Sequence, residues 1–151
     1  MEFKSKNAEQ TYELASKIAK YIKGGDIILL NGDLGAGKTT LVKGVAKALN
    51  VKETVTSPTF TLLKTYDTKD FTIVHIDAYR LEGSTFDELD DYISDEYVIF
   101  MEWSSCLASD ELIENNLSID IKYISKNQRK YILSSNGERY EKMLKELSED
   151  E

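Results

Sequence analysis

The chain has 151 residues, 41% hydrophobic and 30% charged, enough for one domain with a sizeable core. Its 19 Lys and Arg against 27 Asp and Glu leave a net charge of −8, which excludes a broad electrostatic footprint for RNA or an anionic membrane but not a local basic pocket. Cys106 is the only cysteine, which excludes a disulfide framework and a cysteine metal cluster and suits a reducing cytosol.

The segment Met1 to Asn7 has no long apolar core, and no later stretch approaches the ~20 apolar residues that span a bilayer, so the expectation is a cytoplasmic protein without a membrane partner. Asn7 is a good N-cap residue. Leu14, Ala15, Ile18, Ala19 and Ile22 form one stripe behind it and predict a helix that Gly24-Gly25 ends. The run Ile27-Ile28-Leu29-Leu30 reads as a buried strand, and Leu41, Val45 and Leu49 as one face of a second helix. After the break at Thr56-Ser57-Pro58, Thr59 to Tyr66 and Thr72 to Ile76 read as strands, and Ser84 as the cap of a short helix through Phe86, Leu89 and Ile93. Tyr97 to Met101 is the most apolar run of the second half and predicts another buried strand. Ser118 to Ser125 alternates as a half-exposed strand, Arg129 to Ser134 predicts one more before a turn at Asn136-Gly137, and Arg139 to Leu147 predicts a closing helix with Tyr140, Met143, Leu144 and Leu147 inward. The expected fold class is α/β: a P-loop NTPase-like sandwich with a central sheet of about six or seven strands flanked by helices. One domain is expected over 1–147, with a solvated acidic tail at 148–151.

Gly32 to Thr39 reads G-D-L-G-A-G-K-T, a complete G-x-x-x-x-G-K-[ST] phosphate loop standing between the predicted strand and helix. Gly32, Gly35 and Gly37 let the backbone curl so that successive N–H groups point at one anion, with the positive end of the helix behind them. Lys38 is the expected counter-charge to the terminal phosphates, and the Thr39 hydroxyl the expected Mg²⁺ ligand. A nucleoside triphosphate is the implied ligand. Hydrolysis further needs a carboxylate at the metal or at the attacking water. Two strands each offer one, because Asp77 ends Ile73-Val74-His75-Ile76 and Glu102 ends Val98-Ile99-Phe100-Met101, at the edge of an open α/β sheet where ligands bind. Lys38, Asp77 and Glu102 are therefore the candidate catalytic residues. The hydroxyls of Thr56, Ser57, Thr59 and Thr61 suit either a γ-phosphate sensor or a polar turn. His75 and Trp103, each unique in the chain, stand within two residues of a candidate acid; alone, each reads more simply as packing.

Four segments in order, G-D-L-G-A-G-K-T-T at Gly32 to Thr40, S-P-T-F-T at Ser57 to Thr61, H-I-D-A-Y-R-L at His75 to Leu81 and E-W at Glu102-Trp103, resemble the bacterial TsaE (YjeE) family over nearly the whole chain. The resemblance implies an ATPase needed for threonylcarbamoyladenosine at position 37 of tRNA. It further implies that ATP hydrolysis supports a TsaD-like threonylcarbamoyl transferase and its TsaB-like partner, with tRNA engaged indirectly through them. It places Gly35, Ala36, Gly37, Lys38, Thr39 and Thr40 on ATP, Thr39 and Glu102 on Mg²⁺, and His75, Asp77, Tyr79 and Arg80 in a switch element. Arg129 and Glu9 are implied as further nucleotide contacts. Where many members have Pro after the E-W pair, this chain has Ser104-Ser105-Cys106.

Two other classes share the loop. A stand-alone small-molecule kinase needs several cations around two phosphorylated ligands, and Arg80, Arg129 and Arg139 are the only arginines. A nucleotide-dependent regulatory switch of the GTPase kind lacks its N-K-x-D base-reading motif here.

Overall fold

The structure is a computed structural model, and residues 1–32, 37–56, 63–77, 91–102 and 115–150 are described. The expectations for Gly35, Ala36, Ser57 to Thr61, Tyr79, Arg80, the Ser84 helix and Trp103 lie outside these residues. In chain order the elements are β1 (Glu2–Ser5), α1 (Ala8–Tyr21), β2 (Ile27–Gly32), α2 (Lys38–Ala48), β3 (Leu63–Asp67), β4 (Thr72–Asp77), β5 (Tyr97–Glu102), β6 (Asn116–Ser125), β7 (Gln128–Asn136) and α3 (Glu138–Glu149).

The seven strands form one sheet in the order β1-β7-β6-β2-β5-β4-β3. Its centre is parallel, β6-β2-β5-β4, and each edge is closed by antiparallel pairing. β2 is buried on both faces, which is why its sequence is a continuous apolar run and does not alternate. Ile28 and Leu30 face a core made with Leu14 and Ile18 of α1, Leu41 and Val45 of α2, and Met143 and Leu147 of α3. Ile27 and Leu29 face the opposite side with Val74, Ile76, Ile99 and Met101. At 8% or less exposure each, these side chains supply the main driving force of the fold.

α1 begins as its sequence requires: Asn7 Oδ1 accepts from the Gln10 N–H at 2.9 Å, and the Gln10 side chain returns to the Lys6 N–H at 2.7 Å. α1 then lies against α2 at a glycine, because a Cβ on Gly44 would come within 2.6 Å of Ala15 Cβ. At its far end, the Tyr21 carbonyl accepts from Arg139 Nη2 at 2.7 Å, and the Tyr21 hydroxyl donates to Asp150 at 2.9 Å. The helix α3 therefore runs two residues beyond Leu147, and Asp150 is bonded to α1 where the sequence suggested a free acidic end.

β1 is the strand that the sequence pattern did not suggest. It is four residues long and is defined by its partner, with Phe3 opposite Tyr131 of β7.

The Tyr140 hydroxyl accepts the Ile27 N–H at 2.8 Å, satisfying a buried donor at the start of the central strand. Tyr140→Phe is expected to cost about 1–3 kcal/mol, read from urea unfolding, because that N–H is left without a partner. Burial pushes the Tyr140 phenol up to about 12 from its ordinary 10.0. An acid whose folded value is raised favours the fold below its unfolded value and loses that advantage as pH rises through the folded one. The gap between parent and variant should accordingly narrow as the pH is raised from 10 to 12.

Candidate functional site

The parallel centre of the sheet sends the carboxyl ends of β2, β5 and β4 to one edge, and β2 leads directly into the phosphate loop. Gly37 closes the described part of that loop at φ +111°, a backbone conformation that side chains rarely adopt. α2 starts at the next residue with no side-chain cap at Gly37 and no acid in its first turn, and the N–H groups and positive end of such a helix start suit an anion. Lys38 is buried at 4% exposure, and its Nζ donates to the Gly32 carbonyl at 2.8 Å. The lysine thus ties the two ends of the loop together.

Asp77 and Glu102 lie directly opposite each other in the β4–β5 register, and Glu102 is opposite Leu30 of β2. Both carboxylates are buried, at 8% and 5% exposure. Glu102 Oε2 accepts from the Thr39 hydroxyl at 3.3 Å and also bonds His75 Nε2. The first turn of α2 and the tips of two strands therefore meet at one carboxylate oxygen.

This oxygen donor set suits Mg²⁺, which prefers oxygen, is bound through one or two carboxylates, and takes its remaining ligands from water and substrate phosphates. Among the described residues no three His, Cys, Asp or Glu form a group that could hold a metal ion by themselves.

Beside Gly37 and Thr40 opens a cleft of about 160 Å³. Its other walls are Asn7, the cap of α1, with Ala8 and Thr11 of α1, and Lys126, Asn127, Arg129 and Tyr131 around the β6–β7 turn. Arg129 fastens that turn, because its Nη1 donates to the carbonyls of Ser125 at 2.6 Å and Gln128 at 2.9 Å while its guanidinium lies 4.5 Å over the Tyr123 ring. Thr11 and Tyr131 share a hydrogen bond at 3.0 Å, and Ser5 extends the chain to Thr11 at 2.8 Å. Burial raises the Tyr131 phenol above its ordinary value.

Of the residues singled out from sequence, Lys38, Thr39, Asp77 and Glu102 gather at the strand tips, while Gly37, Thr40 and Arg129 line or flank the cleft. Glu9 is exposed and does not line it, whereas its neighbours Asn7 and Ala8 do. The sequence did not signal Asn7, Thr11, Lys126, Asn127 or Tyr131 as site residues, because the cleft is assembled from separate elements. Asn7 carried a signal only as a helix cap.

A loop of this kind between a central parallel strand and a helix, with acids on the two neighbouring strand tips, defines a P-loop NTPase-like α/β protein. Comparison with known proteins narrows the class. Residues 5–131 match the family model described as "Threonylcarbamoyl adenosine biosynthesis protein TsaE", and the chain belongs to this family. The tRNA threonylcarbamoyladenosine biosynthesis protein TsaE of Bacillus subtilis is 38% identical over 149 residues, 98% of this chain and 94% of the relative. That of Aquifex aeolicus is 41% identical over 124 residues, 81% of this chain and 86% of the relative. The crystal structure of Bacillus subtilis YdiB superposes with a TM-score of 0.80 at 34% identity, covering 98% of this chain and 93% of that one. No described helix is long and apolar enough to cross a membrane.

Proposed function

We propose that this chain is an Mg²⁺-dependent ATP hydrolase that supports threonylcarbamoyladenosine modification of tRNA position 37, acting with a TsaD-like transferase and a TsaB-like partner. Relatives at 38% and 41% identity carry that biosynthetic role in their names. The observation that carries the hydrolase reading is the contact between the Thr39 hydroxyl and the Glu102 carboxylate beside the phosphate loop.

In this reading the α2 N-terminus and Lys38 hold the phosphates, with Gly35, Ala36, Gly37 and Thr40 completing the loop, and the cleft beside Gly37 receives the nucleoside end. Thr39 and Glu102 hold Mg²⁺. The metal, when bound, neutralises charge that develops on the transferred phosphoryl oxygens. Asp77, in register with Glu102, accepts a hydrogen bond from the attacking water and orients it. Arg129 acts by shaping the turn that walls the cleft. Glu9, in the first turn of α1, bears on the nucleotide through the position of Asn7 and Ala8.

An acidic chain repels tRNA at long range, so tRNA recognition falls to the transferase subunits. The deciding assay is multiple-turnover modification of tRNA by the transferase subunits with this chain present, absent, or carrying Lys38→Ala. Repeated rounds are expected only with the parent chain; equal product in all three reactions rejects the role.

A further inference from the structure

His75 lies in β4 with 0% of its surface exposed. Its register partner in β5 is Phe100, so Glu102 stands two residues further along the same face, within reach of a long side chain. His75 Nε2 bonds Glu102 Oε2, and in the tautomer that carries a proton on Nε2 the imidazole is the donor. The same oxygen takes the Thr39 hydroxyl. His75 Nδ1, also buried, has no hydrogen-bond partner among the described residues.

A side chain selected only to fill this core has no reason to be a histidine. Its neighbours along the face include Phe100 and Ile73, and an apolar residue there would pack without leaving a buried nitrogen that finds no partner among the described residues. The favourable polar contact that offsets this cost runs through Nε2 to Glu102. From this we infer that His75 is a positioning residue: it fixes the rotamer of Glu102 so that the carboxylate faces the Thr39 hydroxyl. The inference rests on the reading of Thr39 and Glu102 as the Mg²⁺ pair.

The physical role is orientation. A glutamate has three side-chain torsions, and freezing them beforehand removes an ordering cost that metal binding would otherwise carry. With Oε2 held by the imidazole, Oε1 and the remaining lone pair of Oε2 keep a fixed direction. Loss of such an outer partner typically costs about 10–100-fold in metal affinity.

The test compares His75→Gln with His75→Met, two unbranched replacements of similar volume, of which only glutamine can donate to Glu102. His75→Met should raise the Mg²⁺ concentration for half-maximal ATP turnover by about 10–100-fold, with turnover at saturating Mg²⁺ and ATP binding without Mg²⁺ much less affected. His75→Gln should return the Mg²⁺ requirement close to the parent value. Glu102→Gln separates the two readings. If it leaves the Mg²⁺ requirement unchanged, the metal pair is wrong and the inference falls with it. If Glu102→Gln is impaired while His75→Met keeps the parent requirement, positioning alone is overturned.

A second measurement leaves the histidine in place. The chain has a single histidine, so its ring nitrogen signals in a long-range ¹H–¹⁵N spectrum need no assignment. Adding Mg²⁺ to the complex with a non-hydrolysable ATP analogue should move the Nε2 signal in the parent and leave it in place in Glu102→Gln. An Nε2 signal indifferent to both Mg²⁺ and the Glu102→Gln substitution overturns the proposal, even if neither His75 variant folds.

Discussion

Lys38→Ala is expected to weaken Mg-ATP binding by about 10–100-fold, the range set by roughly 1.5–3 kcal/mol for a hydrogen bond to a charged group. The loss has two parts. Nothing replaces the cation against the terminal phosphates, and the tie from Nζ to the Gly32 carbonyl is gone, so the loop closes less readily around an anion. Urea unfolding of the variant without nucleotide, set beside calorimetry of Mg-ATP binding, separates any loss of fold stability from the loss at the ligand. Undiminished binding would remove Lys38 from the site.

Glu102→Gln should bind ATP nearly as well as the parent but lower turnover in the complex with the transferase subunits by about 100-fold or more. The amide keeps the shape of the carboxylate. It presents a donor or an amide oxygen where Thr39 and His75 now meet a carboxylate oxygen. Asp77→Asn, one strand away, should also spare binding and reduce turnover, since under the proposed function it changes the acid that orients the attacking water. The paired measurement is single-turnover ATP hydrolysis beside equilibrium binding; parent-rate hydrolysis by either variant rejects the role of that residue.

The parts of the protein legible in sequence are those whose physics is local. The phosphate loop is contiguous, α1 announces its own cap, and β2 and β5 are buried enough to read as apolar runs. β1 was not legible because Glu-Phe-Lys-Ser has no pattern of its own and is made a strand by β7, from the far end of the chain. The fold class and all but that strand could be anticipated. At the site, the acids at the ends of β4 and β5 were visible as strand-end residues. Their exact pairing, and the reach of His75 to Glu102, depend on a parallel register that no local pattern encodes. The cleft was the least legible part, since Asn7, Gly37 and Tyr131 come together only when three elements are packed.

α1 has 14 residues and so spans about 21 Å between the cleft and the last turn of the chain. One end carries Asn7 and Thr11 into the cleft wall, and the other is held by Arg139 and Asp150. A helix held at both ends frays from neither alone, so its amides should open to solvent exchange only together with the elements that hold it. The cleft wall at Asn7 and Thr11 therefore draws its rigidity from groups a full helix length away, at the opposite end of α1.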